Sequence, residues 1–162
     1  MFTNFEIMSN QTHYPVNFIF LVDRITLKDR NKLKRFLINL LRSHGRIAEA
    51  INYIFCSDKY LLTINRKFLK HDFYTDIITF DLSDDDNGVQ AEIYISVDRV
   101  RDNAKKIGVS IKSELHRVII HGAMHLCGYN DKSQADKSNM RRLENDSLTK
   151  YFGHVPRKTV SG

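Results

Sequence analysis

The run His121-Gly122-Ala123-Met124-His125-Leu126-Cys127-Gly128-Tyr129-Asn130-Asp131 holds the densest chemistry in the chain. His121 and His125 are four residues apart, so on a helix both imidazoles lie on one face and can reach one metal ion. Gly128 can end that helix in a left-handed conformation and turn the chain back. Asp131 then stands where a third ligand should arrive. Two nitrogens and a carboxylate oxygen suit zinc, with the fourth position left to water. The expectation is one zinc ion per chain, held by His121, His125 and Asp131. The competing reading is a helical histidine pair used for packing or capping. The glycine and the carboxylate at this spacing favour the metal.

The same spacing resembles that of the metzincin proteases, His-Glu-x-x-His-x-x-Gly-x-x-His. Such a protease needs a glutamate after the first histidine to take a proton from water on the zinc. Here that position is Gly122, which has no side chain, so a zinc peptidase is disfavoured.

These ligands need a scaffold. Residues 17–22 form a short apolar run read as a strand. Leu33, Phe36, Leu37, Leu40 and Leu41 follow at helical spacing, with Asp29 as cap and Gly45 as stop. Residues 51–56 read as a second strand, and Ser57 or Asp58 caps a helix after it. Strands are expected over 77–82 and 89–96, paired antiparallel through Asn87-Gly88. The acidic loop there is no EF-hand, because the twelfth position would be Tyr94. Helices are expected over 97–106, from near Ser110 to about Leu126, and over 133–151 with Met140 and Leu143 inward. The fold class is α+β, a small mixed β-sheet packed on helices around a central metal-binding helix. The expected organisation is one domain over 1–153 and a flexible tail over 154–162.

The 162 residues suit one core, and a formal charge of +6 with pI near 9.3 suits a polyanionic partner such as RNA. The helix carrying Lys28, Arg30, Lys32, Lys34, Arg35 and Arg42 is the best nucleic-acid surface, with Lys32 and Arg35 as candidate RNA contacts. A merely solvated helix face is the alternative. Cys56 and Cys127 are too few for a disulfide framework and read as core residues. Neither a signal peptide nor a membrane-spanning run is evident, so a cytoplasmic protein is expected.

His-Gly-x-x-His-Leu-x-Gly-Tyr followed by a polar pair resembles the YbeY family, bacterial endoribonucleases and rRNA maturation factors. Thr75-Asp76-Ile77-Ile78-Thr79-Phe80 resembles the family's Thr-Asp-Val-Leu-Ser-Phe block, and Ala91-Glu92-Ile93 its Gly-Asp-Ile strand. Ile64-Asn65 resembles its Leu-Asn, and Glu114-Leu115-His116-Arg117 leads into the metal helix in the same way. Roughly residues 17–151 are covered. The resemblance implies one zinc ion on three side chains and cleavage of single-stranded RNA. It also implies partnership with rRNA and the small ribosomal subunit, with roles in maturation of the 16S rRNA 3′ end and in ribosome quality control. Neither a nucleotide cofactor nor a membrane is implied. A non-catalytic ribosome-assembly factor with structural zinc is the second reading.

Three positions depart from the family pattern. The family's third ligand is histidine, here Asp131. It has aspartate where this chain has Asn130. It has an arginine, thought to contact substrate, where this chain has Leu69. Arg66, Lys70 and His71 are the nearby replacements: His71 and Arg66 as candidate catalytic residues, Lys70 as a candidate RNA contact. For His71 the alternative is a plain surface-loop histidine. No residue stands out as a general base.

Overall fold

The computed structural model describes residues 13–85 and 88–154. Its elements in chain order are β1 (Val16–Phe20), α1 (Arg30–Ser43), β2 (Ile47–Cys56), α2 (Asp58–Ile64), β3 (Ile77–Asp81), β4 (Gly88–Ser96), α3 (Val97–Ile107), α4 (Ile111–Leu126) and α5 (Gln134–Phe152). One π-helical turn, Asn65–Leu69, continues α2. The fold is α+β, as the sequence predicts. The expected tail falls outside the described residues from 155 onward, as do the turn positions 86 and 87.

The sheet order is β1-β2-β4-β3, with β1, β2 and β4 parallel and β3 antiparallel to β4. Strand periodicity of two sends alternate residues to opposite faces. Phe18, Tyr53, Ile93 and Thr79 thus lie in one row across the sheet. On that face Val16, Ile51, Tyr53, Phe55, Ile93 and Ile95 pack under α1 and α4. On the other face Cys56, Ile78, Phe80 and Tyr94 meet Leu61 and Ile64 of α2.

Helix ends follow local chemistry. Ser57, Ser96, Ser110 and Ser133 each accept a backbone N–H of the first turn, the ordinary N-cap arrangement. Asp29 stands at the start of α1 as expected but caps nothing with its side chain. It adopts φ 53°, outside the extended conformation in which an N-cap side chain reaches the first turn. β2 begins at Ile47, earlier than the apolar run suggests, because Glu49 interrupts the run and Ile47, Glu49 and Ala50 are exposed.

α4 is the centre of the molecule. Leu115, Val118, Ile119, Ile120, Ala123 and Met124 are buried on several sides of it, the pattern of a helix enclosed by others. Each of these side chains except Ala123 contributes about 1.5–3 kcal/mol by leaving water. α4 touches α1, α3, α5, β3 and β4. Its approach to the sheet is close at Gly122, where a Cβ would lie 3.0 Å from Ile77 Cδ1 and 3.1 Å from Ile93 Cγ2. The absent Cβ at Gly122 thus serves close packing of the helix on the sheet, besides leaving no base there.

Candidate metal centre

The C-terminal turn of α4 sets the site. Gly128 has φ +93°, and its N–H donates to the His125 carbonyl. The Tyr129 N–H donates to the Met124 carbonyl. These two bonds are the Schellman pattern, and they reverse the chain one turn beyond His125. Asp131 is delivered back to the histidine face by that reversal.

The three ligand atoms form a near-regular triangle. His121 Nε2 and His125 Nε2 are 2.9 Å apart, and Asp131 Oδ2 lies 3.4 Å and 3.5 Å from them. Ligands at about 2.0–2.1 Å from one tetrahedral ion would stand roughly 3.3 Å from each other. The group thus has the dimensions of a metal site, and His121, His125 and Asp131 are the residues that could hold an ion.

Proton placement makes the same point. His121 Nδ1 lies 2.7 Å from Glu144 Oε1, and His125 Nδ1 lies 2.8 Å from the Tyr129 carbonyl oxygen. Both partners are acceptors, so each Nδ1 carries the proton and donates. Each Nε2 is then a bare lone pair. Two lone pairs 2.9 Å apart, faced by a carboxylate, repel unless a cation lies among them. A proton would satisfy two of the three; a metal ion satisfies all of them.

Glu144, on α5, is nearly inaccessible to solvent. Burial pushes its carboxyl up, but the His121 hydrogen bond and the Arg117 charge outweigh this and hold it below the ordinary value. Arg117 is mostly buried between Glu144 at 3.3 Å and Glu114 at 2.5 Å, with Asp76 at 3.9 Å. The chain Glu114–Arg117–Glu144–His121 is a supporting hydrogen-bonded network of the kind that fixes ring orientation at metal sites. The sequence gives no sign of Glu144, because it lies 23 positions after His121 on a charged helix. Asp136, the other acid near Asp131, is occupied: it completes the capping box with Ser133 at the start of α5.

The ligands open into a cleft of about 450 Å³ that also includes Asn65, Leu69, His71, Phe73, Thr75, Asp76, Ile77, Thr79 and Asp81. His71, from the loop before β3, is thereby brought to the metal group. Leu69 is there too and is 42% exposed. Arg66 is not among the lining residues; its Nε pairs with Asp72 Oδ1 at 2.5 Å in solvent. Lys70 is exposed at the end of the π turn with φ 55° and does not line the cleft. Lys32 and Arg35 lie on α1 away from it, Lys32 over the Tyr151 ring at 4.7 Å and Arg35 against the Tyr14 hydroxyl at 3.1 Å. Cys127 packs against the core and takes no part in the metal group, and Cys56 is fully buried. Burial pushes their thiols up, to about 11 and about 12. His116 is buried against Tyr151 and Phe152, as a structural histidine should be.

No helix among the described residues is long and apolar enough to cross a membrane. Residues 22–152 match the family model described as endoribonuclease YbeY. The chain is 46% identical over 123 residues to the endoribonuclease YbeY of Cytophaga hutchinsonii, covering 76% of this chain and 86% of that one. It is 44% identical over 119 residues to the endoribonuclease YbeY of Bacteroides thetaiotaomicron, covering 74% and 86%. A Thermotoga maritima protein solved in solution shares the fold with a TM-score of 0.59 and 25% identity, over 85% of this chain and 89% of that one.

Proposed function

Because the chain belongs to the YbeY endoribonuclease family, we propose that it is a zinc-dependent endoribonuclease that cuts single-stranded RNA. The carrying observation is the convergence of two bare Nε2 lone pairs and the Asp131 carboxylate at the mouth of a cleft. Two nitrogens and one oxygen are a zinc donor set with room for a fourth ligand. Bound there, zinc would polarise a phosphoryl oxygen and acidify water.

The chain's own residues supply the positioning. Glu144 and the Tyr129 carbonyl hold both imidazoles in the Nδ1–H form that leaves Nε2 free to ligate. Arg117 keeps Glu144 ionised. His71 lines the cleft beside the ligands and is the candidate for substrate contact. The basic face of α1, with Lys32 and Arg35, is proposed to hold RNA flanking the cut, and exposed Lys70 and Arg66 to lie along its path. The proposed setting is the cytoplasm, with small-subunit rRNA as substrate, in maturation of the 16S 3′ end and in ribosome quality control.

The second reading, an assembly factor with structural zinc, draws on Leu69 in place of the family arginine. The cleft weighs against it: a structural zinc site is closed, whereas Asp131 is 44% exposed beside open space. The peptidase reading is weaker still, since any Cβ at position 122 would sit 3.0 Å from Ile77 and 3.1 Å from Ile93, so that both side chains would have to give way.

The test is elemental analysis of protein purified without chelators, then incubation with single-stranded and duplex RNA. About one zinc per chain and preferential cutting of single strands is the expected result. Well-folded protein with no metal would overturn the proposal.

A further inference from the structure

We propose that the ring of Phe73, backed by the imidazole of His71, is a stacking platform for one unpaired RNA base beside the metal group. The inference rests on the endoribonuclease reading above and names how that site takes its substrate.

Phe73 is 57% exposed, and it lines the same cleft as His121, His125 and Asp131. A single exposed phenylalanine is unremarkable in general. This one is held in place on both sides. Its carbonyl accepts a 2.8 Å bond from Nδ2 of Asn65, which is itself only 2% exposed. Before it, Asp72 pairs with Arg66. After it, the Tyr74 ring lies 4.7 Å under the Arg99 guanidinium, and Arg99 is fixed to both Asp58 oxygens. Further on, Asp76 accepts from Asn103 Nδ2 at 3.3 Å. The backbone is thus anchored while the ring stays open. The ring stacks on His71 with centroids 5.2 Å apart and planes 21° from parallel. An aromatic ring on an anchored backbone, already stacked on one face, loses less conformational entropy on binding than a free loop side chain.

Charge explains why the occupant is a base. The described lining residues include Asp76, Asp81 and Asp131 and no lysine or arginine. Apart from the metal, the cleft therefore offers a phosphate little attraction. Its free resource is a π-face, on which any nucleobase can stack. A base inside a duplex has both faces covered by its neighbours, so the platform admits an unpaired base. A cleft of about 450 Å³ fits one such unit.

The experiment uses full-length, zinc-loaded protein and a short single-stranded RNA in which one position at a time is made abasic. Dissociation constants and kcat and KM are measured for the parent chain, Phe73→Ala, Phe73→Leu and Phe73→Trp. In the parent, one abasic position near the cut should weaken binding about tenfold, within the roughly 5- to 150-fold range of base–aromatic stacking. Phe73→Ala and Phe73→Leu should bind intact RNA about tenfold more weakly and no longer distinguish the abasic position. Phe73→Trp should keep the distinction. A parent chain indifferent to every abasic position overturns the platform without needing any variant. A Phe73→Leu variant that keeps full affinity overturns stacking as its basis. A parent that neither binds nor cuts RNA, although zinc-loaded, overturns the endoribonuclease reading and the platform with it.

Discussion

His121 Nδ1 and Glu144 Oε1 are 2.7 Å apart, joining α4 to α5 at the base of the metal group. Because the carboxylate can only accept, this one bond decides which ring nitrogen of His121 is free to ligate. A residue outside the candidate ligand set thus sets the state of one within it.

Glu144→Ala should weaken zinc binding by about 10- to 100-fold, the usual effect of losing such a partner. Glu144→Gln, whose amide oxygen can still accept from Nδ1, should lose less. Chelator competition measures the affinity, and nitrogen NMR of the His121 ring reports the tautomer. If Glu144→Ala holds zinc as tightly and keeps the Nδ1–H form, the positioning role is wrong.

His121→Ala or His125→Ala should abolish zinc retention, and Asp131→Ala should lower affinity heavily. Asp131→His should keep zinc. A carboxylate neutralises more of the ion's charge than an imidazole does, so Asp131→His should move the pH–rate profile to lower pH. Equal zinc affinity in the Asp131→Ala variant would remove Asp131 from the ligand set. Asp136 would then be a poor substitute, since it already caps α5.

Leu69 lines the cleft and is 42% exposed, so a longer side chain there meets open space rather than core. Leu69→Arg should raise the RNA cleavage rate or leave it unchanged. Single-turnover rates on the same RNA decide the matter. A large drop in protein that still folds and binds zinc would show that the residue packs in a way its exposure does not suggest.

Replacing Lys32 and Arg35 together with Ala should flatten the dependence of RNA affinity on salt. Each lost phosphate contact removes about 0.7 from the log–log slope for a single strand, so a change near 1.4 is expected. Lys32 also covers the Tyr151 ring, which makes the slope a cleaner readout than affinity. An unchanged slope would place the RNA on another surface.

His116 provides a stability prediction. Burial lowers its pKa, opposed by its bond to the Lys112 carbonyl and by Asp29, and reinforced by the charges of Lys112 and Lys32. Its Nε2 has no hydrogen-bond partner among the described residues. The unfolded chain therefore takes up this proton more readily than the fold does. The stability it contributes is complete above its ordinary value of 6.5 and is lost as pH falls below that towards the lower folded value. Melting temperature should fall as pH drops below about 6.5, and His116→Phe should make that fall shallower. Parallel slopes in the two proteins would refute the assignment.

The local parts of this molecule were legible in the sequence. Leu33, Leu37, Leu40 and Leu41 mark α1, and Ser57 and Ser110 stand at the starts of α2 and α4, because these signals act within one or two turns. The convergence of His121, His125 and Asp131 was legible for the same reason. His121 and His125 share a helix face, and Gly128 returns the chain to Asp131, all within a few residues. The class of the fold and the antiparallel pairing of β3 with β4 followed from the order of elements and one turn. Asp29 stands at the cap position of α1 as the sequence predicts, although its side chain makes no cap bond.

What only the tertiary structure decided is how distant segments meet. Nothing in β1, β2 and β4 announces that they run parallel in the order β1-β2-β4-β3, because that depends on which apolar faces cover one another. Glu144 reaches His121 only because α5 packs along α4. Gly122 is read from the sequence as an absent base, and only the closeness of Ile77 and Ile93 shows that it lets the helix sit on the sheet. His71 and Phe73 look alike as loop residues until the tertiary structure sets both on the wall of the cleft, with the Phe73 carbonyl tied to Asn65. Short-range geometry is written in residue spacing, whereas the meeting of distant surfaces is settled by the packing of the whole core.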